Sequence, residues 1–137
     1  MTDWRRQARR ALREYPKLKR KQGEHEQKIT PSYEGVAVQH SASRTTEDAA
    51  LRSPLTDAEE NIIIAVEFAM QMQRSYSNGA ERIRMMELVY FKRTHTIYGA
   101  AEIVHYSPDA LWRWNTEILT AVYVGLQKTV RNKTEKS

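Results

Sequence analysis

The sequence predicts an all-α protein: a small helical bundle that ends in a helix-turn-helix and carries a basic N-terminal helix on a flexible linker. Glycine and proline are few, at 5 and 4 of 137 residues. Apolar residues in the second half recur at helical spacing, whereas the period-two alternation of a half-buried strand is hard to find. A chain of 137 residues supports one core with appendages. We therefore expect one folded unit at residues 56–130.

Residues 1–21 form a strongly basic segment. They contain nine lysines and arginines against the two acids Asp3 and Glu14, a net charge of +7, while the whole chain carries +5. This segment is predicted to form a helix that ends before Pro16, since proline disfavours the helical conformation in the residue before it. The thin apolar stripe indicates nucleic acid rather than a membrane as the partner, although a solvated helix or frayed tail has the same composition. The basic residues are Arg5, Arg6, Arg9, Arg10, Arg13, Lys17, Lys19, Arg20 and Lys21.

Residues 22–55 are polar and aperiodic, with Pro31, Gly35 and scattered serines. Such a composition is typical of a flexible linker, because it buries too little apolar surface to offset the entropy of ordering. A structureless loop of this length is unusual inside a compact domain. The basic segment is therefore predicted to be a separate, tethered element. Residues 131–137 are interpreted as a polar tail.

A capping box predicts that helical structure resumes at Thr56, whose hydroxyl can accept a backbone N–H while Glu59 reaches back to the cap. In the helix predicted at residues 56–75, apolar residues occupy more than half of the circumference, which indicates two packing partners. The second partner is either another helix of the bundle or a second copy of the chain in a homodimer. A turn at 77–79 leads to a predicted helix at 80–92. Its buried side should consist of Ile83, Met85 or Met86, Val89, Tyr90 and Phe91.

Residues 94–130 are the most informative stretch and predict a helix-turn-helix that continues into a long C-terminal helix. Ser107 is an N-cap candidate because its hydroxyl can accept a backbone N–H, and Pro108 suits the first helical position. Asp109 faces the positive end of the helix dipole. His105 occupies a turn position where glycine is frequent. The turn is therefore closed differently, or His105 adopts a left-handed conformation.

The second helix of this motif is predicted to have two faces. Apolar residues from Leu111 to Gly125 recur at helical spacing and should pack on the domain. On the opposite face, Arg113 is the best candidate for base readout, because a guanidinium can bond both acceptors of guanine for about 1–3 kcal/mol of discrimination. An ordinary helical hairpin with a solvated face is the alternative. That face carries Asp109, Trp112, Arg113, Thr116 and Glu117, and the candidate phosphate contacts are Lys92, Arg93, Thr94, His95 and Ser107.

Several function classes have no signal in the sequence. Cysteine is absent, so disulfides and thiol metal sites are excluded, which suits a reducing cytoplasm. The longest apolar run, residues 62–66, is far too short to cross a membrane, and no secretory signal is expected. The glycines form no phosphate-binding loop and the histidines show no paired metal-ligand spacing. We therefore expect a soluble cytoplasmic protein that is not an enzyme and uses no cofactor, metal or small-molecule substrate.

Two segments carry a resemblance to a known family: LREYPKLK at residues 12–19 and LVYFKRTHTIYGAAEIVHYSPDALWRWNTEILTAVYVGL at residues 88–126. Together with the polar stretch between them, they resemble the RinA and ArpU group of phage transcriptional regulators. The resemblance covers most of the chain and is strongest over about residues 80–126. The matching positions are Tyr90 and Phe91, Thr94 or Thr96, Ala101, Ser107, Arg113 and Asn115.

The resemblance implies an activator of late phage or prophage operons, including packaging and morphogenesis genes. It also implies a C-terminal half similar to the promoter-reading helix-turn-helix of sigma factor region 4. The implied partners are double-stranded DNA and host RNA polymerase, in the host bacterial cytoplasm. The principal rival interpretation is a small-terminase-like DNA packaging protein, which would need an oligomerisation helix that only residues 56–75 could supply. A third interpretation is an RNA-binding or protein-interaction adaptor that uses the basic segment alone.

Overall fold

The computed structural model describes residues 3–36 and 54–136, and within these ranges it contains helices and turns but no strand. This confirms the all-α class. In this part of the chain, five α-helices are connected by short segments, apart from the stretch between the two ranges. They are α1 (Trp4–Val36), α2 (Asp57–Arg74), α3 (Gly79–Met86, followed by a π-helical turn at Glu87–Phe91), α4 (Ile97–Val104) and α5 (Pro108–Lys136).

Helix α1 continues through Pro16 to Val36, so the predicted stop at Pro16 is wrong. A proline inside a helix removes one backbone hydrogen bond and costs about 3 kcal/mol. Burial of Leu12 and Leu18, on either side of the proline, offsets this cost. Each buried leucine contributes about 1.5–3 kcal/mol. Tertiary packing therefore outweighs the local preference of the proline.

The first half of α1 belongs to the folded unit. Ala8, Ala11 and Leu12 are fully or almost fully buried and lie in the main core, together with residues of the other helices. The prediction that the basic segment is a separate, tethered element is therefore wrong for the first half of α1. The physical reason is the apolar stripe of α1. It is thin, but it is wide enough for its alanines and leucine to pack against the helical bundle.

The boundaries predicted for the linker and the tail also change. Residues 22–36 of the predicted linker 22–55 continue α1, while residues 37–53 lie outside the described part of the chain. The predicted polar tail, residues 131–137, is helical as far as Lys136. Both helices extend into polar sequence that shows no apolar periodicity of its own.

Helix α2 begins with the predicted capping box. The Thr56 hydroxyl accepts from the Glu59 backbone N–H at 3.1 Å, and the Glu59 carboxylate accepts from the Thr56 N–H at 2.9 Å. α2 packs against α1, α3 and α5 and is thus a central helix of the bundle, while Ile64 and Met72 of its apolar surface are exposed. Its crossing with α5 is close: a Cβ on Gly125 would lie 2.9 Å from the Cα of Ala65.

Helix α3 ends in a π-helical turn that the sequence analysis did not predict. The Lys92 N–H donates to the Glu87 carbonyl at 2.7 Å, and Arg93 then ends the turn with a positive φ of 56°. The extra residue in this turn brings both Leu88 and Tyr90 into the core. The predicted burial of Tyr90 is confirmed, and Ile83, Val89 and Phe91 are half-buried at the edge of the core.

Candidate nucleic-acid interface

The turn between α4 and α5 is closed by a left-handed residue. His105 has φ 64° and ψ 43°, and its N–H donates to the Ala101 carbonyl at 2.9 Å. The second of the two closures expected at this position is thus the one adopted. The Ser107 hydroxyl accepts from the Ala110 N–H at 3.2 Å, which confirms Ser107 as the cap of α5. Tyr106, between them, packs its ring edge-on against Trp114 with a centroid distance of 4.8 Å.

The rotation of α5 agrees with the two faces predicted from the sequence. Leu111, Trp114, Ile118 and Val122 are buried in the main core and hold α5 against the bundle. Besides Pro108 and Glu117, four residues of the first three turns point away from the core and are exposed. We call these residues the recognition face: Asp109, Trp112, Arg113 and Thr116.

Arg113 is the cation of the recognition face. Its side chain is exposed and makes no hydrogen bond or ion pair with the residues that the structure describes. By contrast, Arg82, Arg84 and Arg10 are each paired with a carboxylate. A guanidinium without an intramolecular partner keeps its five N–H donors available for a planar acceptor pair.

Trp112 and Thr116 give the recognition face an apolar side. Trp112 is 45% exposed, and its ring meets that of Tyr98 on α4 edge-on, with the centroids 6.3 Å apart. The Thr116 hydroxyl donates to the Trp112 carbonyl at 3.3 Å, one turn earlier in the helix. This hydrogen bond satisfies the hydroxyl and leaves the Thr116 methyl group as the other feature of that exposed side chain.

Glu117, predicted on the same face, is engaged in an intramolecular contact. Its carboxylate accepts from Arg82 of α3, a residue that is only 6% exposed. Arg82 also donates to Gln73 and to Asn78, each at 2.9 Å, and lies over the ring of Tyr76. Arg82 therefore ties the third turn of α5 to the end of α2. The sequence does not indicate this role, because no local spacing connects Arg82 with Gln73 and Glu117.

Asn115, which the family resemblance pairs with Arg113, is buried rather than exposed. It accepts a hydrogen bond from the Tyr90 hydroxyl and so joins α5 to the π-helical turn. Burial raises the pKa of the Tyr90 hydroxyl, while the positive charges of Arg9 and Arg13 and the hydrogen bond to Asn115 act in the opposite direction. These two guanidiniums of α1 are thus within electrostatic range of the Tyr90 hydroxyl.

The basic residues of α1 divide between two sides of the bundle. Arg5 lies over the ring of Trp4 at 5.3 Å, and Trp4 packs against Tyr123 of α5 at 5.8 Å. Arg5, Arg9 and Arg13 are spaced four residues apart, so they share a face of α1. We call these three residues the basic row.

Other predicted nucleic-acid contacts on α1 face α2 or a neighbouring acid instead. The Lys19 ammonium lies 3.2 Å from Glu67, and the Lys21 ammonium 3.7 Å from Glu59. Arg10 is paired with Glu14 of its own helix at 3.3 Å. Arg6 and Arg20 are exposed, and their guanidinium groups have no acidic partner among the described residues.

The segment between the π-helical turn and α4 holds the remaining predicted contacts. Lys92, Arg93 and Thr94 are exposed, and His95 is half-buried. The Thr94 hydroxyl and the His95 Nδ1 are 2.8 Å apart and share a hydrogen bond. The next residue, Thr96, caps α4 by accepting from the Gly99 N–H at 3.2 Å. The segment is therefore short, polar and held at both ends by defined backbone contacts.

No protein-family model, curated protein or solved structure matches this chain. Among the helices in the described ranges, none has the length and apolar character needed to cross a membrane.

Proposed function

We propose that this protein is a sequence-specific DNA-binding transcriptional regulator that reads a major groove with the first turns of α5. The observation that carries the proposal is the exposed, unpaired Arg113 on a helix whose opposite face is fixed in the core. A recognition helix requires this combination of a rigid support and free hydrogen-bond donors. Arg113 would bond O6 and N7 of a guanine, which is worth about 1–3 kcal/mol of discrimination.

Phosphate contacts would come from both sides of the recognition face. Lys92, Arg93, Thr94 and His95 precede α4, and Ser107 lies at the start of α5; all five are candidates for the DNA backbone. The basic row supplies further positive charge on the side of Tyr123 and Tyr90. Because α1 packs on the core, these charges would have a fixed register on the duplex, unlike those of a flexible arm.

The regulatory role that we propose follows the family resemblance. The protein would activate late phage genes, such as packaging and morphogenesis genes, by recruiting or repositioning host RNA polymerase at a nearby promoter. A small-terminase-like packaging protein is the rival proposal, because it would use a similar helix-turn-helix to mark phage DNA. The residues considered for its oligomerisation helix form α2, and Ile63, Val66 and Ala69 of that helix are buried within a single chain. This burial favours the regulator.

Selection of bound duplexes from a random-sequence pool at about 150 mM salt tests DNA reading, since added salt suppresses non-specific phosphate binding. Arg113→Ala should lower the preference for the selected site over random DNA by roughly 5- to 150-fold, the equivalent of about 1–3 kcal/mol. Arg84→Ala is the matched control, because Arg84 is exposed on α3 and already paired with Glu87 at 3.9 Å. Unchanged preference in Arg113→Ala would contradict the proposed reading.

Two further measurements separate the regulator from the packaging protein. Selection from a phage genome should enrich a site upstream of a late operon for an activator, whereas a packaging protein should enrich a packaging start site. Sedimentation of the full chain should give a monomer or dimer for the regulator. A closed ring of many subunits would favour packaging instead.

A further inference from the structure

We infer that Trp112 and Thr116 form an apolar wall that reads the 5-methyl group of thymine beside the guanine contacted by Arg113. This inference rests on the proposed function and adds the second base to it. Trp112 and Thr116 are one turn apart on α5, so one side of the recognition face is apolar, while the other side carries Arg113 with Asp109 one turn before it.

The aromatic side chains of Trp112 and Tyr98 are exposed to solvent. Trp112 is 45% exposed and its neighbour Tyr98 is 61% exposed, although the core of this chain accommodates Trp114 and Tyr90 almost completely. A pair of exposed aromatic rings on a face that also carries a free guanidinium marks a contact surface. The adjacent Arg113, which has no partner among the described residues, and the chain's net charge of +5 favour a polyanion as the occupant.

Intramolecular contacts restrict the orientation of the Trp112 and Thr116 side chains. The edge-on contact with Tyr98, at an interplanar angle of 73°, restricts the Trp112 ring. The Thr116 hydroxyl is satisfied by the Trp112 carbonyl, and the Thr120 hydroxyl by the Thr116 carbonyl at 2.8 Å. Both threonines therefore use their hydroxyl donors within the helix, and each also carries a methyl group on its exposed side chain.

The chemistry of the major groove identifies what such a surface can read. Thymine is the base that presents a methyl group there, and apolar side chains discriminate it by contact with that methyl. Polar bases would lose hydration against the Trp112 ring without gaining a hydrogen-bond partner. The recognition face thus fits a site in which a thymine lies next to the guanine that Arg113 bonds.

The test uses the duplex obtained from the selection described above, with each thymine replaced in turn by deoxyuridine. Deoxyuridine lacks only the 5-methyl group and keeps the base pairing and the O4 acceptor. Affinity should fall about fourfold at one or two positions, which corresponds to one buried methyl group. Trp112→Ala should bind the thymine and uracil duplexes equally, whereas Arg113→Ala should retain the difference.

Two variants keep the test informative. Thr116→Ser removes only the methyl group and keeps the hydroxyl that bonds to Trp112, so it should reduce the thymine preference without disturbing α5. Ile64→Ala is the matched control, because Ile64 is an exposed apolar residue on α2, 54% accessible, and it should leave the preference unchanged. Far-UV circular dichroism of each variant verifies that the helical content is retained.

Three results would overturn the inference. A selected site without thymine would do so, and so would a site at which every uracil substitution is neutral; in both cases sequence-specific binding, and with it the proposed function, would stand. A thymine preference that persists in Trp112→Ala would assign the methyl contact to other residues. Failure to select any sequence would instead overturn the proposed function itself.

Discussion

Replacement of Arg82 by alanine should destabilise the protein by about 3 kcal/mol. The variant leaves the amide oxygen of Gln73, which is 1% exposed, without its hydrogen bond from Arg82. An unsatisfied buried acceptor costs about 1–3 kcal/mol. The variant also removes the guanidinium from the rings of Tyr76 and Trp114, at 3.9 and 5.2 Å. Each such contact is worth about 0.5–1 kcal/mol.

The ion pair between Arg82 and Glu117 should add little to that loss. The Glu117 side chain is 44% exposed and can be hydrated when its partner is removed. Partly exposed ion pairs contribute about 0–1 kcal/mol. A double-mutant cycle of Arg82→Ala with Glu117→Gln should therefore give a coupling free energy of about 1 kcal/mol or less, so most of the effect of Arg82 comes from Gln73 and the two rings.

Urea unfolding of the full chain, followed by far-UV circular dichroism, measures this effect. Arg84→Ala is the control on the same helix, because Arg84 is half-exposed and its removal should change the free energy of unfolding by less than about 0.5 kcal/mol. If Arg82→Ala were as mild as Arg84→Ala, the buried network would not hold α5 to α2, and our account of how the recognition face is positioned would be wrong.

Three other perturbations test the fold around the same face, each by urea unfolding. Leu111→Ala should cost about 2–5 kcal/mol because Leu111 is fully buried, and a near-neutral result would mean that α5 is rotated differently. His105→Gly should raise the free energy of unfolding by about 1 kcal/mol, because glycine has no Cβ and adopts the left-handed conformation without steric strain. A loss of stability would contradict that conformation. A backbone hydrogen bond from Thr56 lowers the pKa of Glu59, so its stabilisation should disappear as the pH falls through that lowered pKa. Glu59→Gln should flatten this acid-side dependence, and an unchanged profile would exclude the capping box as its origin.

Features that depend on neighbouring residues could be predicted from the sequence. Thr56 and Ser107 are confirmed as caps because a cap requires only a hydroxyl and the N–H groups of the next turn. The burial of Leu111 and Trp114 is confirmed because a helical period fixes one face of α5 once its start is known. The left-handed His105 was one of two stated closures, and local sequence does not choose between them.

Features that depend on distant residues could not be predicted in this way. Pro16 would end an isolated helix, but burial of Leu12 and Leu18 against other helices keeps α1 continuous. An arginine such as Arg82 is expected to be solvent-exposed. It is a buried donor because α2, α3 and α5 pack together around it. Asn115 is a position of the family resemblance, and only the packing of α5 on the π-helical turn shows that it is buried and accepts a hydrogen bond from the Tyr90 hydroxyl.

The position of α1 links folding to the proposed DNA binding. Ala8 and Leu12 lie in the core, while Arg9 and Arg13 of the same turns lie near the Tyr90 hydroxyl. If a duplex contacts these arginines in the register that the packed helix gives them, it should bind the packed state more tightly and stabilise it by mass action. Removal of the arginine charges should weaken DNA binding and leave the helical content unchanged. Loss of Leu12 should weaken both, because it releases the helix that holds the charges in register.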